Sequence, residues 1–273
     1  MISVVIASLG GDLSATLNSL NLGTLVPDEI IICLPNKGHL VKNLSIYKNT
    51  VVVYSEKYGQ VCQRICGFKA TNGDYVLQMD DDVVISSDCL ELLMSSMVNH
   101  RGRVAVSPCW FNIANNEPLH KHKQNGILMF LYYRLINGST GYSPGKISLA
   151  GTNFGVNPKE VHEKNIDVDW QPGGCILHNK KNLILDSYYP YERKAYSEDL
   201  IHSYFLRNSG LSLVVVVGAK CMTKINPRIS LGNDLYQDFK ARLYFVNMSK
   251  LSIFRMCLYY IIYIAISLFR RGV

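Results

Sequence analysis

The chain has 273 residues, of which 48% are apolar and 18% charged, and its net charge is +7. This balance excludes a disordered or fibrous chain and suffices for one large α/β domain with a buried core plus an appendage. The cations gather in the C-terminal third beside apolar residues, which points to nucleotide phosphates or a membrane surface, and no nucleic-acid recognition motif accompanies them.

Ile2 to Ala7 is a β-branched run that predicts a central first strand; it has no basic segment before it and is too short for a signal peptide. A glycine-containing turn leads to Leu13, Leu17 and Leu20 at helical spacing. Asp28 to Leu34 and Val51 to Tyr54 predict the second and third strands. Tyr58 to Ala70 predicts a helix bearing Arg64 and Lys69, and Tyr75 to Met79 a fourth, buried strand. Strands alternating with helices at this spacing predict a mainly parallel sheet covered on both faces. The eight cysteines include no CxxC pair, and no His lies at ligand spacing from Cys62 and Cys66. They predict core residues in a reducing cytosol and no structural zinc.

Asp80, Asp81 and Asp82 stand where the fourth strand runs out. In an open α/β sheet, ligands bind outside the carboxyl ends of strands. On an extended chain Asp80 and Asp82 face one side, where their repulsion calls for a cation or a donor network. Their hard oxygens suit Mg or Mn shared with phosphates; the alternative is a solvated acidic turn. Asp88 and Glu91 at capping-box spacing, with Leu92, Leu93 and Val98 as an apolar face, predict a helix directly afterwards.

Val104 to Val106 predicts a further strand, and 120–145 an irregular stretch around the apolar run Ile127 to Ile136. Asp169 to Leu177 predicts a turn feeding a strand; Pro172, Gly173 and Gly174 allow close backbone approach to a ligand, or simply a tight turn. Ser197 is the expected N-cap of a helix with Glu198 and Asp199 in its first turn, Ile201, Tyr204 and Phe205 as its apolar face and Gly210 as its stop. Leu211 to Val217 predicts one more strand. In the tail, the uncharged run from Met256 to Phe269 falls short of the roughly 20 residues a spanning helix needs. Lys250, Arg255, Arg270 and Arg271 flank it, and Tyr259, Tyr260 and Tyr263 suit an interface. An amphipathic helix lying in the cytoplasmic leaflet is the preferred reading, with a buried core or dimer helix and a true span as alternatives.

The segments GQVCQRICGFKATNGDYVLQMDDDVVIS, DWQPGGCILHNKKNL and YPYERKAYSEDLIHSYFLRNSG, in this order over residues 2 to 217, resemble the family 2 glycosyltransferases and their GT-A fold. The resemblance implies a Rossmann-like GT-A domain over 1–217, with a nucleotide-sugar half over 1–100 and an acceptor half over 101–217, followed by a membrane-associating region over 218–273. It implies a nucleotide diphosphate sugar donor contacted by Ala7, Ser8, Arg64, Asp80 and Asp81. Asp82 and Asp80 would hold Mg or Mn. Trp170, Gly173 and Gly174 would meet the acceptor, although Trp170 reads equally as core. Asp199 would be the general base of an inverting displacement, with Glu198 as the alternative base; local sequence by itself reads both as capping acids. His178 and His202 read as structural. The basic, aromatic tail suggests a peripheral enzyme and a lipid-linked acceptor, such as an undecaprenyl-diphosphate-linked saccharide in bacterial surface polysaccharide assembly.

Three departures from the family pattern stand out. The second strand ends Ile32-Cys33-Leu34-Pro35-Asn36 without acidic residues, the family's Arg-Asn pair is Arg64-Ile65, and no His follows His202, which leaves Lys220, Lys224 or Arg228 as substitute cations. The Gln-x-x-Arg-Trp motif of processive synthases is absent, which implies transfer of one sugar per event. A sugar nucleotidyltransferase would carry a cation in the glycine turn after the first strand, and 7–12 has none. A non-catalytic nucleotide- or carbohydrate-binding module would tolerate loss of Asp199.

Overall fold

A computed structural model describes residues 1–121, 126–191, 195–224 and 232–269, and in it β1 (Ile2–Ala7) is buried along its whole length, as its β-branched run predicts. β1 pairs in parallel with β2 (Glu29–Leu34), which pairs with β3 (Thr50–Tyr54); on its other side β1 pairs in parallel with β4 (Tyr75–Asp80). The period of two in β1 divides the core. Val4 and Ile6 pack with Leu17 and Leu20 of α1 (Ser14–Asn21), while Val5 packs with Phe68 of α2 (Gln60–Ala70). β5 (Val84–Ile85) and α3 (Cys89–Asn99) complete this half.

The second half contributes β6 (Val104–Asn112), β7 (Glu117–Pro118), α4 (Ile127–Asn137), β8 (Asn165–Val168), β9 (Cys175–Asn179), α5 (Glu198–Asn208) and β10 (Ser212–Thr223). Two helices follow, α6 (Asn233–Met248) and α7 (Ile253–Phe269). Among the described residues the sheet order is β3-β2-β1-β4-β9-β6-β10-β5, with β7 on β6 and β8 on β10. The parallel order read from the first half stops at β4, because β9 enters antiparallel between β4 and β6. Pro108 sits inside β6, and the β6–β10 register breaks beside it, between Val216 and Lys220. A residue with no N–H to donate is accommodated where the partner strand bulges.

Several local expectations change. The stretch 120–145 contains a helix, α4, which buries Tyr133, Ile136 and Asn137, half-buries Met129, Tyr132 and Leu135, and leaves Ile127, Leu128, Phe130 and Leu131 exposed. α3 buries Leu90, Leu93 and Met97, so its inner face is rotated by about one residue from the expected one, and Val98 faces solvent. Asp88 makes no cap; it accepts from Ser86 Oγ, and Glu91 accepts from Thr24 Oγ1. Ser197 has φ 52° and makes no side-chain cap either, its hydroxyl being buried without a partner. β10 runs through residues 217 and 218, so the expected domain boundary falls inside a strand. α6 and α7 share a core with α2 and α5 through Ile65, Ile201, Phe245 and Met256 rather than standing apart. All eight cysteines are free thiols, and Cys33, Cys89, Cys109, Cys175 and Cys221 are buried.

α2 lies close enough to β1 that a Cβ on Gly67 would be driven into the Val5 side chain. Gly67→Ala is therefore expected to cost about 1–3 kcal/mol by overpacking. Urea unfolding should show a lower midpoint with an unchanged slope.

Candidate active site

Arg64 projects from α2 into the interior and is 2% exposed. Its Nη2 donates to Asp80 Oδ1 at 2.6 Å and its Nη1 to Glu198 Oε2 at 2.9 Å. One guanidinium thus joins the end of β4 to the first turn of α5. Burial works against its charge, but Glu198 and Asp80 outweigh that and hold its pKa above the usual value. Arg64 was expected to meet the donor; in the structure its two terminal nitrogens bond protein carboxylates, and its Nε is buried with no hydrogen-bond partner. Gln60 Nε2 also donates to Asp80 Oδ1, at 2.9 Å, and the Tyr188 hydroxyl donates to Glu198 Oε1.

Gly173 and Gly174 are small because of this cluster. A Cβ on Gly173 would lie 3.0 Å from Glu198 Oε2, and one on Gly174 would lie 2.7 Å from Asp80 Oδ2 and 2.8 Å from the Trp110 ring. The Gly173 carbonyl accepts from Gln78 Nε2 and the Gly174 carbonyl from the Asp80 amide. The close approach anticipated for these glycines is made by protein groups.

Asp81 and Asp82 leave the strand. β4 stops at Asp80 and the chain turns, so Asp80 and Asp82 do not share a side of an extended chain. β5 pairs with Cys221 and Met222, which brings Asp82 beside β10, where Thr223 Oγ1 donates to its Oδ2 at 3.3 Å. Asp81 turns the other way and accepts from Ser8 Oγ at 2.5 Å. Ala7 holds register between Cys33 and Asp80, so Ala7 and Ser8 do end β1 at the site. Burial raises the Asp81 carboxyl, with Ser8 opposing and Asp80 and Asp82 adding to the rise. Partial desolvation, then the Asp80 charge, raises Asp82 at the exposed rim. Lys224 lowers Asp82 slightly, Lys220 lies over the Phe111 ring, and Arg228 falls outside the described residues, as do Arg270 and Arg271.

Among the described residues no three carboxylate, imidazole or thiolate groups converge into a protein-only metal cage. Asp81 and Asp82 also have no ion-pair partner among those residues, while Asp80 has Arg64. Hard oxygens raised first by burial and then by their like-charged neighbours fit a Mg or Mn ion that takes its remaining ligands from phosphates.

Asp199 follows Glu198 in the first turn of α5. Burial, then the Glu198 charge, pushes its carboxyl up to about 7. Glu198 is committed to Arg64 and Tyr188, so Asp199 is the carboxylate of the pair left to exchange a proton near neutrality. His202 stacks on Tyr188, and burial followed by the Arg64 charge pushes it down to about 3; burial, then His202 and Arg64, takes His178 in the same direction. Both are neutral interior rings, as read. Trp170 is 4% exposed, and its Nε1 donates to the Phe154 carbonyl at 2.8 Å while its ring meets His120 edge to face. It packs as core around a small cavity shared with Trp110 and Phe154, and its faces are not open for stacking on a sugar. Tyr188, Gln60, Trp110 and Thr223 were not anticipated, because only tertiary contact brings them to the site.

Residues 6–152 match the model of the family described as Glycosyl transferase family 2. No curated protein sequence matches the chain. Its fold is similar to that of GalNAc-T7 crystallised with UDP, GalNAc and Mn2+, at 17% identity and a TM-score of 0.63 over 90% of this chain and 47% of that one. It is also similar to S. aureus TarS, at 14% identity and a TM-score of 0.53 over 93% of this chain and 41% of that one. TarS 1-349 in complex with UDP gives 13% and 0.53, over 93% and 68%. The chain thus spans less than half of GalNAc-T7 and of the longer TarS, and at these identities the likeness is one of fold.

The raised carboxyl has a stability consequence. Asp199 titrates at about 7 when folded against an ordinary value of 3.8, so between those values the native state keeps a proton that the unfolded state has lost. Stability from this group therefore falls as pH rises from about 4 to about 7. Relative to wild type, Asp199→Asn should gain stability over that window, read by urea unfolding at its two ends; parallel pH profiles would contradict the raised value.

Proposed function

The chain belongs to glycosyl transferase family 2, and from that premise we propose that it is an inverting, metal-dependent glycosyltransferase. It moves one sugar from a nucleotide diphosphate sugar to a hydroxyl of a saccharide acceptor. The acceptor is lipid-linked, and the protein sits peripherally on the cytoplasmic face of a membrane in surface polysaccharide or related glycan assembly. The observation that carries this reading is Arg64, which ties Asp80 at the end of β4 to Glu198, the neighbour of Asp199 in the first turn of α5. The UDP and Mn2+ in the GalNAc-T7 structure and the UDP in the TarS structure support this kind of donor and cation.

Ala7, Ser8 and Asp81 form the wall at the end of β1 against which the nucleotide lies. Asp80 keeps Oδ1 on Arg64 and Gln60, leaving Oδ2 for the ribose side or the cation. Asp82, with Asp80 behind it, would hold the divalent ion, which when bound would supply positive charge against the diphosphate. Asp199 accepts the proton of the acceptor hydroxyl while that oxygen attacks the anomeric carbon. The bond to the diphosphate breaks on the opposite side, and the configuration inverts. Glu198 is a positioning residue, holding the α5 turn on Arg64.

The tail reading fits the same scheme. Among the described residues no helix is long and apolar enough to cross a membrane. α7 buries Met256 and Tyr260 against the protein and keeps Phe254 and Ile261 outside, so it suits a helix lying on a surface.

Two variants test the assignment. Asp82→Ala should lose the Mn-dependent part of the thermal shift produced by UDP. Asp199→Asn should keep that shift and lose about a hundred- to ten-thousand-fold in transfer. Wild-type kcat/KM should climb with pH and level off above about 7, as Asp199 gives up its proton. Transfer at wild-type rates by either variant would remove the corresponding role.

A further inference from the structure

α4 and α7 lie far apart in sequence and pack against each other. Arg255, the charge that interrupts the apolar tail, does not reach toward solvent. It turns inward and donates from Nη1 to the carbonyls of Arg134, at 3.1 Å, and Leu135. It therefore satisfies open carbonyls in the last turn of α4 and fastens the two helices together. Tyr259 of α7 packs with Tyr133 and Ile136 beneath α4.

The outer faces of the joined helices are apolar. On α4, Ile127 is 76% exposed and Leu128 79%, with Phe130 and Leu131 beside them. On α7, Phe254 is 72% exposed, and Ile261 and Leu268 follow along the same stripe. Apolar surface of this extent, drawn from two helices, marks an interaction site. Neither helix contains an acidic residue, and their charged side chains are Arg134 and Arg255. Arg134 is exposed at the i+7 position from Ile127, on the apolar face itself. Glu160 acts on Tyr133, on the buried side of α4.

We propose that α4 and α7 together form one seat for an anionic lipid surface, with α4 contributing as much as the tail helix. The inference rests on the membrane-associated reading above and extends it to a second, unanticipated helix. Charge selects the occupant. The exposed Arg134, with no carboxylate on either helix, complements acidic headgroups, whereas a second copy of the same face would set it against its own like charge. Tyrosines behind the apolar stripe are side chains that favour the headgroup boundary.

The test uses the full chain and vesicles of phosphatidylcholine with or without phosphatidylglycerol, read by flotation. Wild type should float with the anionic vesicles and bind the neutral ones more weakly. Leu128→Asp combined with Leu131→Asp should lower binding about tenfold or more, with unchanged thermal unfolding since both side chains are exposed. Phe254→Asp with Ile261→Asp should do the same. If the α4 variant binds as wild type while the α7 variant does not, the shared seat is overturned and tail anchoring stands. If wild type ignores both vesicles, both readings fall. A concentration-dependent dimer that the α4 substitutions abolish, without vesicle binding, would assign the face to self-association and overturn the proposal.

Discussion

One enclosed guanidinium holds this site together. Arg64 is buried between Asp80 and Glu198, residues that reach it from β4 and α5. Taking Arg64 and Glu198 out of water is costly, and their attraction in the interior roughly offsets the cost when geometry is good. The arrangement therefore adds little net stability but tolerates little change: without the cation, Glu198 would be left enclosed with its charge unpaired. The surroundings follow from it. Gly173 and Gly174 have no room for a side chain, Gln60 takes a further bond to Asp80, and Tyr188 fixes the second oxygen of Glu198.

The acidic triplet is divided by the same constraint. Asp80 is neutralised from inside by Arg64, Asp81 is held by a serine hydroxyl, and Asp82 is left at the rim with a weak threonine contact. Three adjacent residues thus meet three environments, because the strand ends at the first and the chain turns at the next two. A parallel split occurs on α5. Glu198 is fixed as a structural anion, and its charge, added to burial, keeps the neighbouring Asp199 protonated until near neutrality. Like-charged neighbours with different partners let one short segment carry both a fixed anion and a carboxyl raised toward neutrality, the pair that the proposed mechanism uses as anchor and base.

Much of the N-terminal half was legible because its signals are local. β-branched runs gave β1, β2 and β3 to within a residue, and the charged triplet marked the end of β4. The losses have physical causes. α4 is apolar on both its buried and its exposed sides, so no polar face marks its run as an amphipathic helix. α6 has a weak apolar stripe, with Asp238 buried and tied to Tyr260 and Arg242, and was not anticipated. The insertion of β9 between β4 and β6 depends on pairing across a long separation, which no local pattern encodes. At the site, residue types were read well and contacts were not. Arg64 was identified as a cation near the triplet, yet its second partner lies on α5, far along the chain. Trp170 could be core or platform by sequence; its bond to the Phe154 carbonyl makes it core.

The burial of Trp170 also connects the two ends of the molecule. Trp110 stands against Gly174 beside Asp80, and it shares a cavity wall with Trp170 and Phe154. Phe154 meets Tyr133 on the inner face of α4, 5.8 Å between ring centres. Aromatic side chains therefore line the interior from the carboxylate cluster, around that cavity, to the underside of the helix whose outer face is bare and apolar. The same packing explains why Trp110, Trp170, Phe154 and Tyr133 are spent inside the fold and leave no ring face open beside Asp80.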